Sequence, residues 1–172
     1  MSNAMHDLLR RVRRSLLVGV LGAAVLNAAA DCRSGTSGGV VVLTNSVPVL
    51  RIAIPAKVVE EKRTSLELRI LDIKNPKDTT FSIAVFLESR GVGETSDGPR
   101  VPSTEVGVLG VYPAGQTGDY RLEASPALDR LAHAAAGGRR LCLRLELLPV
   151  HATEKLRGVE VKLSEPQWLR VD

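Results

Sequence analysis

Aromatic residues are scarce in this sequence: one Trp, two Tyr and two Phe, 3% of the chain. The core must therefore be built mostly from Val, Leu, Ile and Ala. Histidine is as scarce, with only His6, His133 and His151. Two scattered histidines past the N-terminal segment cannot supply a dinuclear copper centre, which needs several on each metal. There are two cysteines, Cys32 and Cys142, and no cluster of Cys and His with zinc-binding spacing. No P-loop, Gly-x-Ser-x-Gly elbow or dinucleotide fingerprint is present. Gly91-Val-Gly-Glu has two glycines but no helix behind them. Glu60 and Glu61 are adjacent, so on a strand they would face opposite sides. The expectation is a non-catalytic chain that takes no cofactor and no metal.

Charge of one sign is also lacking over most of the chain. The formal net charge is +4, from 23 Lys and Arg against 19 Asp and Glu. Arg10, Arg11, Arg13 and Arg14 against Asp7 account for most of it. Removing them leaves 19 basic and 18 acidic groups interleaved along the remaining 142 residues. A nucleic-acid-binding domain concentrates basic residues on one face, so no nucleic-acid partner is expected. With 44% hydrophobic and 24% charged residues, a packed domain is favoured over disorder. A length of 172 residues gives room for one domain.

A long apolar run is present only at the N-terminus. Arg-Arg-Val-Arg-Arg at 10–14 precedes an uncharged run from Ser15 to Ala30 that ends Ala-Ala-Ala. A basic region, an apolar region and a small-residue site make a secretory signal peptide, with cleavage fitting best after Ala30. The run is shorter than the ~20 residues that span a bilayer comfortably. The alternative is a retained signal anchor over 15–30. Residues 1–30 therefore read as an export segment, and the mature chain as periplasmic or secreted, touching a membrane only through that segment if it is uncleaved. Export permits a Cys32–Cys142 disulfide and equally permits a loose Cys32 with a packed Cys142. Residues 31–46 read as a Ser- and Gly-rich flexible linker with a first short strand.

From residue 47 to 172 the pattern is one of short strands. Leu66, Leu68 and Ile70 alternate with Glu67 and Arg69, as do Leu141, Leu143, Leu145 and Leu147 with Cys142, Arg144 and Glu146. That period of two marks half-buried strands. Phe81, Ile83, Val85 and Leu87 alternate with a face that is only partly polar, which predicts a central strand. Asn75-Pro-Lys-Asp78 is turn chemistry, Lys57 to Thr64 reads as a solvated hairpin end, and Ser89 to Ser103 as a long loop. Gly107 and Gly110 interrupt a strand over Val106 to Tyr112, where glycine marks a bulge or a close approach. Ser125 is an N-cap candidate, Pro126 suits the first helical position, and Gly137-Gly138 stops the helix. The expected fold is all-β: an antiparallel β-sandwich of about seven or eight strands with one short helix.

The stretch Val49-Leu-Arg-Ile-Ala-Ile-Pro, then Leu66-Glu-Leu-Arg-Ile, Thr80-Phe-Ser-Ile-Ala-Val-Phe-Leu-Glu, Val106-Gly-Val-Leu-Gly-Val-Tyr-Pro, Tyr120-Arg-Leu-Glu-Ala, Ser125-Pro-Ala-Leu-Asp-Arg-Leu, Leu141-Cys-Leu-Arg-Leu-Glu-Leu-Leu-Pro-Val and Leu156-Arg-Gly-Val-Glu-Val resembles, in order and character, the C-terminal domain of the polyphenol oxidase and tyrosinase family. The resemblance runs from Val49 to Val171. It implies a non-catalytic β-sandwich that packs over a copper oxidase domain and shields its entrance. The copper-binding domain itself has no counterpart in this chain, so the resemblance implies a separately encoded accessory or capping domain. Its partner would be a tyrosinase-like oxidase, and the candidate contact is Tyr112, with Pro113 and Gly110 beside it; the alternative for Tyr112 is a core or edge tyrosine with its hydroxyl at the surface. The alternative is a stand-alone envelope β-sandwich with a structural or adhesive role, able to self-associate through an edge strand.

Overall fold

A computed structural model of the chain describes residue 32 and residues 39–60, 64–91, 102–111, 116–135 and 138–170. The expected export segment, most of the expected linker, residues 92–101 of the expected loop, and Tyr112 and Pro113 lie outside them. The described residues form β1 (Val40–Thr44), β2 (Val49–Ala53), α1 (Ala56–Glu60), β3 (Thr64–Lys74), β4 (Phe81–Arg90), β5 (Ser103–Val111), β6 (Gly118–Glu123), α2 (Ser125–Ala135), β7 (Arg140–Pro149), β8 (Glu160–Ser164) and β9 (Gln167–Arg170). The chain is an all-β sandwich, as the alternation predicts; the described residues hold nine strands and two helices against the expected seven or eight strands and one helix.

Two antiparallel sheets face each other. Sheet A has the order β2-β7-β4-β5; sheet B has the order β1-β8-β3-β6, with β9 paired to β3. The pairings nest: β4 with β5, β3 with β6, β2 with β7 and β1 with β8. Successive nested pairs alternate between the sheets. A long hairpin rolled up in this way is the jelly-roll topology. β4 lies between β7 and β5, the central position its two-sided apolar pattern predicts.

The core is the sum of the inward positions of each strand. Leu66, Leu68 and Ile70 from β3 meet Phe81, Ile83, Val85 and Leu87 from β4 and Leu141, Leu143, Leu145 and Leu147 from β7. Burying each such side chain contributes ~1.5–3 kcal/mol. Among the described residues, Phe81 is the one aromatic that is fully buried, so aliphatic residues fill the space, as the composition requires. α2 packs against β4, β5 and β7 and adds Ala127, Leu128 and Leu131 to the same core.

The structure departs from the local sequence pattern in three places. The segment after Pro55 is a single helical turn, not a hairpin end: the Val58 N–H donates to the Pro55 carbonyl at 3.0 Å, and Val58 is buried. Pro55 presets the backbone for a first turn, and the burial of Val58 holds it. At α2, the Ala124 carbonyl accepts the Leu128 N–H, so Ala124 is the N-cap. The Ser125 hydroxyl instead accepts the Thr64 N–H at 2.8 Å and donates to the Thr64 carbonyl, joining the helix start to β3. Finally, Ser89 and Arg90 belong to β4 and are buried, not part of a loop.

Candidate functional site

Of the sequence-predicted contact residues, Gly110 is described. It lies on β5, the margin of sheet A, pairs with Ser82 of β4, and is exposed on the outward face. A Cβ at this position would meet nothing within 4 Å. Val108, two residues earlier on the same face, is 52% exposed. The structure thus brings Gly110 together with Val108 as an open apolar strip. Tyr112 and Pro113 lie beyond its end, outside the described residues. The bulge expected from glycine falls one residue away from Gly107: Val85 pairs with Gly107 and Phe86 with Glu105, leaving Val106 as the extra residue.

The same outward face carries a charged cluster that the sequence pattern does not reveal. The carboxylate of Glu88, on β4, is almost wholly buried. Its Oε2 accepts a hydrogen bond from Arg51 Nε on β2 at 3.0 Å. Arg144 Nε on β7 is 3.0 Å from Oε1, close enough for an ion pair although not aligned as a hydrogen bond. Arg90 lies 3.6 Å away. The Arg144 guanidinium also sits 4.0 Å above the Phe86 ring and 3.5 Å from Glu146, a cation–π stack reinforced by a second carboxylate. Sheet register causes this arrangement: Arg51 and Phe86 both face Arg144 across their ladders. The sequence signal was present in the polar positions of β2, β4 and β7, but only the register joins them. Chemically the cluster is a clasp across three strands, with no nucleophile among its members.

Cys142 lies directly opposite Glu88 and is fully buried. It is bonded to Cys32, with 5.9 Å between the Cα atoms, within the usual disulfide range. The pairing left open by the sequence is therefore made, and it fixes Cys32 on the outward face of sheet A.

On sheet B the exposed charges pair across strands. Lys162 donates to Asp72 at 2.9 Å. That hydrogen bond holds the Asp72 carboxyl below its ordinary range and pushes Lys162 up. Arg69, hydrogen-bonded to Asp119, is likewise pushed further up. A depression of about 370 Å³ lies where β8 gives way to β9, lined by Gly39, Val40, Leu71 and Ser164 to Gln167. Among the described residues, no group of three or more His, Cys, Asp or Glu could hold a metal ion, and no helix is long and apolar enough to cross a membrane.

A scan against protein-family models gives no match, and a search of curated proteins finds no similar sequence.

Proposed function

We propose that this protein is an exported, non-catalytic accessory domain that caps a separately encoded tyrosinase-like copper oxidase. The observation that carries the reading is the outward strip of β5. It lies at a sheet margin, exposes Val108 and Gly110, and immediately precedes Tyr112-Pro113 in the sequence. An apolar margin followed in the sequence by an aromatic residue suits insertion into the mouth of a partner's cavity, where one buried aromatic anchor can dominate binding. The β-sandwich fold agrees with the resemblance, and the Cys32–Cys142 disulfide agrees with an oxidising compartment.

The test is co-purification with a tyrosinase-like oxidase that lacks its own C-terminal domain, together with that oxidase's activity toward a phenol. Capture and lowered activity are expected. Val108→Asp and Tyr112→Ala should each weaken capture at least about tenfold, the loss of one anchor of roughly 1.4 kcal/mol or more. An oxidase that neither binds nor changes activity removes the capping reading.

A second reading, a stand-alone envelope domain with a structural or adhesive role, is favoured by a different observation: the margin of sheet B formed by β1.

A further inference from the structure

Every open sheet has margins, and natural margins carry features that prevent edge-to-edge pairing. β2 has Arg51 at its centre and prolines at 48 and 55. β5 has Glu105 and the bulge at Val106. β6 alternates Asp119, Arg121 and Glu123 outward, all exposed. β9 is four residues long and ends in Arg170. β1 has none of these. It reads Val-Val-Val-Leu-Thr, and its ladder with β8 is unbroken over all five residues. Val40 and Val42 are 57% and 39% exposed.

The hydrogen bonds show which backbone groups are unused. The Gly39 carbonyl accepts from Glu165, and the Asn45 N–H donates to Val159. Odd-numbered residues of β1 therefore point toward β8, and Val40, Val42 and Thr44 point away. The N–H and carbonyl of Thr44 are both engaged by Val47. Among the described residues, the open groups of this margin are thus the N–H and carbonyl of Val40 and of Val42.

We propose that two copies of this chain pair antiparallel through β1, about a two-fold axis at Val41. In this register Val40 faces Val42 of the second copy, and Val42 faces its Val40. All four open groups on each copy then find partners, while Thr44 is left to Val47. The same register sets the exposed valines side by side on the outward face, where β-branched cross-strand pairs stabilise a sheet. A second copy is the occupant because the margin is self-complementary: it carries no charge, and its donors and acceptors match their own reversed image. The paired segment is short. Interfaces below ~1,200 Å² belong to weak, transient encounters, so the dimer forms reversibly at high concentration. This contact uses sheet B and is independent of the proposed oxidase contact on sheet A.

The test is sedimentation equilibrium of the full chain, from about 10 μM to 1 mM, a span that brackets weak association. The weight-average mass should rise from monomer toward dimer. Val42→Lys should weaken association at least about tenfold, because it sets an ammonium against the partner's valine. Val108→Lys on the other sheet should leave association unchanged. Mixing a Val40→Cys copy with a Val42→Cys copy under mild oxidation should give a cross-linked pair, since facing residues of a hydrogen-bonded pair lie ~5.5 Å apart. A chain monomeric throughout, association broken by Val108→Lys but not by Val42→Lys, or cross-linking of Val42→Cys only with itself would each overturn the proposal. So would capture of an unrelated strand by β1 while the chain stays monomeric.

Discussion

A carboxylate on the outward face of a strand is ordinarily solvated, yet Glu88 is 3% exposed and is approached by arginines from β2, β4 and β7. Alternation along β4 places Glu88 opposite the core side, and that much is readable from the sequence. Its partner Arg51 is 37 residues away, and only sheet register brings them together. Removing one member of a buried ion pair is costly because the remaining charges stay desolvated. Glu88→Gln should therefore destabilise the protein by about 3 kcal/mol, the low end of the range for buried pairs, since Arg51 and Arg144 keep some exposure. Glu146, with a side chain 27% exposed, provides the contrast: its replacement by Gln should cost about 1 kcal/mol or less. The urea midpoints of the two variants decide this. A Glu88→Gln midpoint no lower than that of Glu146→Gln would mean that the cluster is not a clasp.

At the level of elements, alternation locates β3, β4 and β7 because their inward residues are large aliphatics at a strict period of two. It fails where a single buried residue decides the conformation. Val58 turns a charged stretch into α1, and nothing in Lys-Val-Val-Glu signals that it is buried. β5 shows a finer limit. Gly107 and Gly110 look equivalent in sequence, but a Cβ at Gly107 would stand 3.0 Å from a Leu122 methyl on β6, whereas one at Gly110 would stand in open space. The first glycine permits the two sheets to approach at their margins. The second leaves an open outward surface, which is the part of the candidate contact strip that sequence reasoning located. Gly107→Val should therefore cost about 1–3 kcal/mol through overpacking. Gly110→Val should be neutral or slightly stabilising, because a β-branched residue suits an extended backbone better than glycine does. Equal denaturation midpoints for the two variants would remove the distinction.

For the molecule as a whole, the all-β class follows from the strand pattern, but the jelly-roll nesting does not. Pairing β1 with β8 and β2 with β7 depends on contacts between the two ends of the chain, which no local signal specifies. The disulfide belongs to the same class of information. Cys32 and Cys142 are 110 residues apart, and their bond closes β1 to the start of β7 into one covalent loop. In the chain-entropy account, such a cross-link acts mainly by restricting the unfolded state and would contribute about 4.7 kcal/mol for a loop of ~100 residues, while disulfides typically deliver about 2–4 kcal/mol. Replacing both cysteines with alanine should lower the melting temperature by roughly 4–12 °C for a chain of this size. It should also raise the denaturant m-value, since the unlinked unfolded chain exposes more surface. The change in m separates this effect from a packing defect at Cys142, which would move the midpoint alone. If the variant melted at the same temperature with the same m-value, the bond would tether Cys32 to sheet A without stabilising the fold.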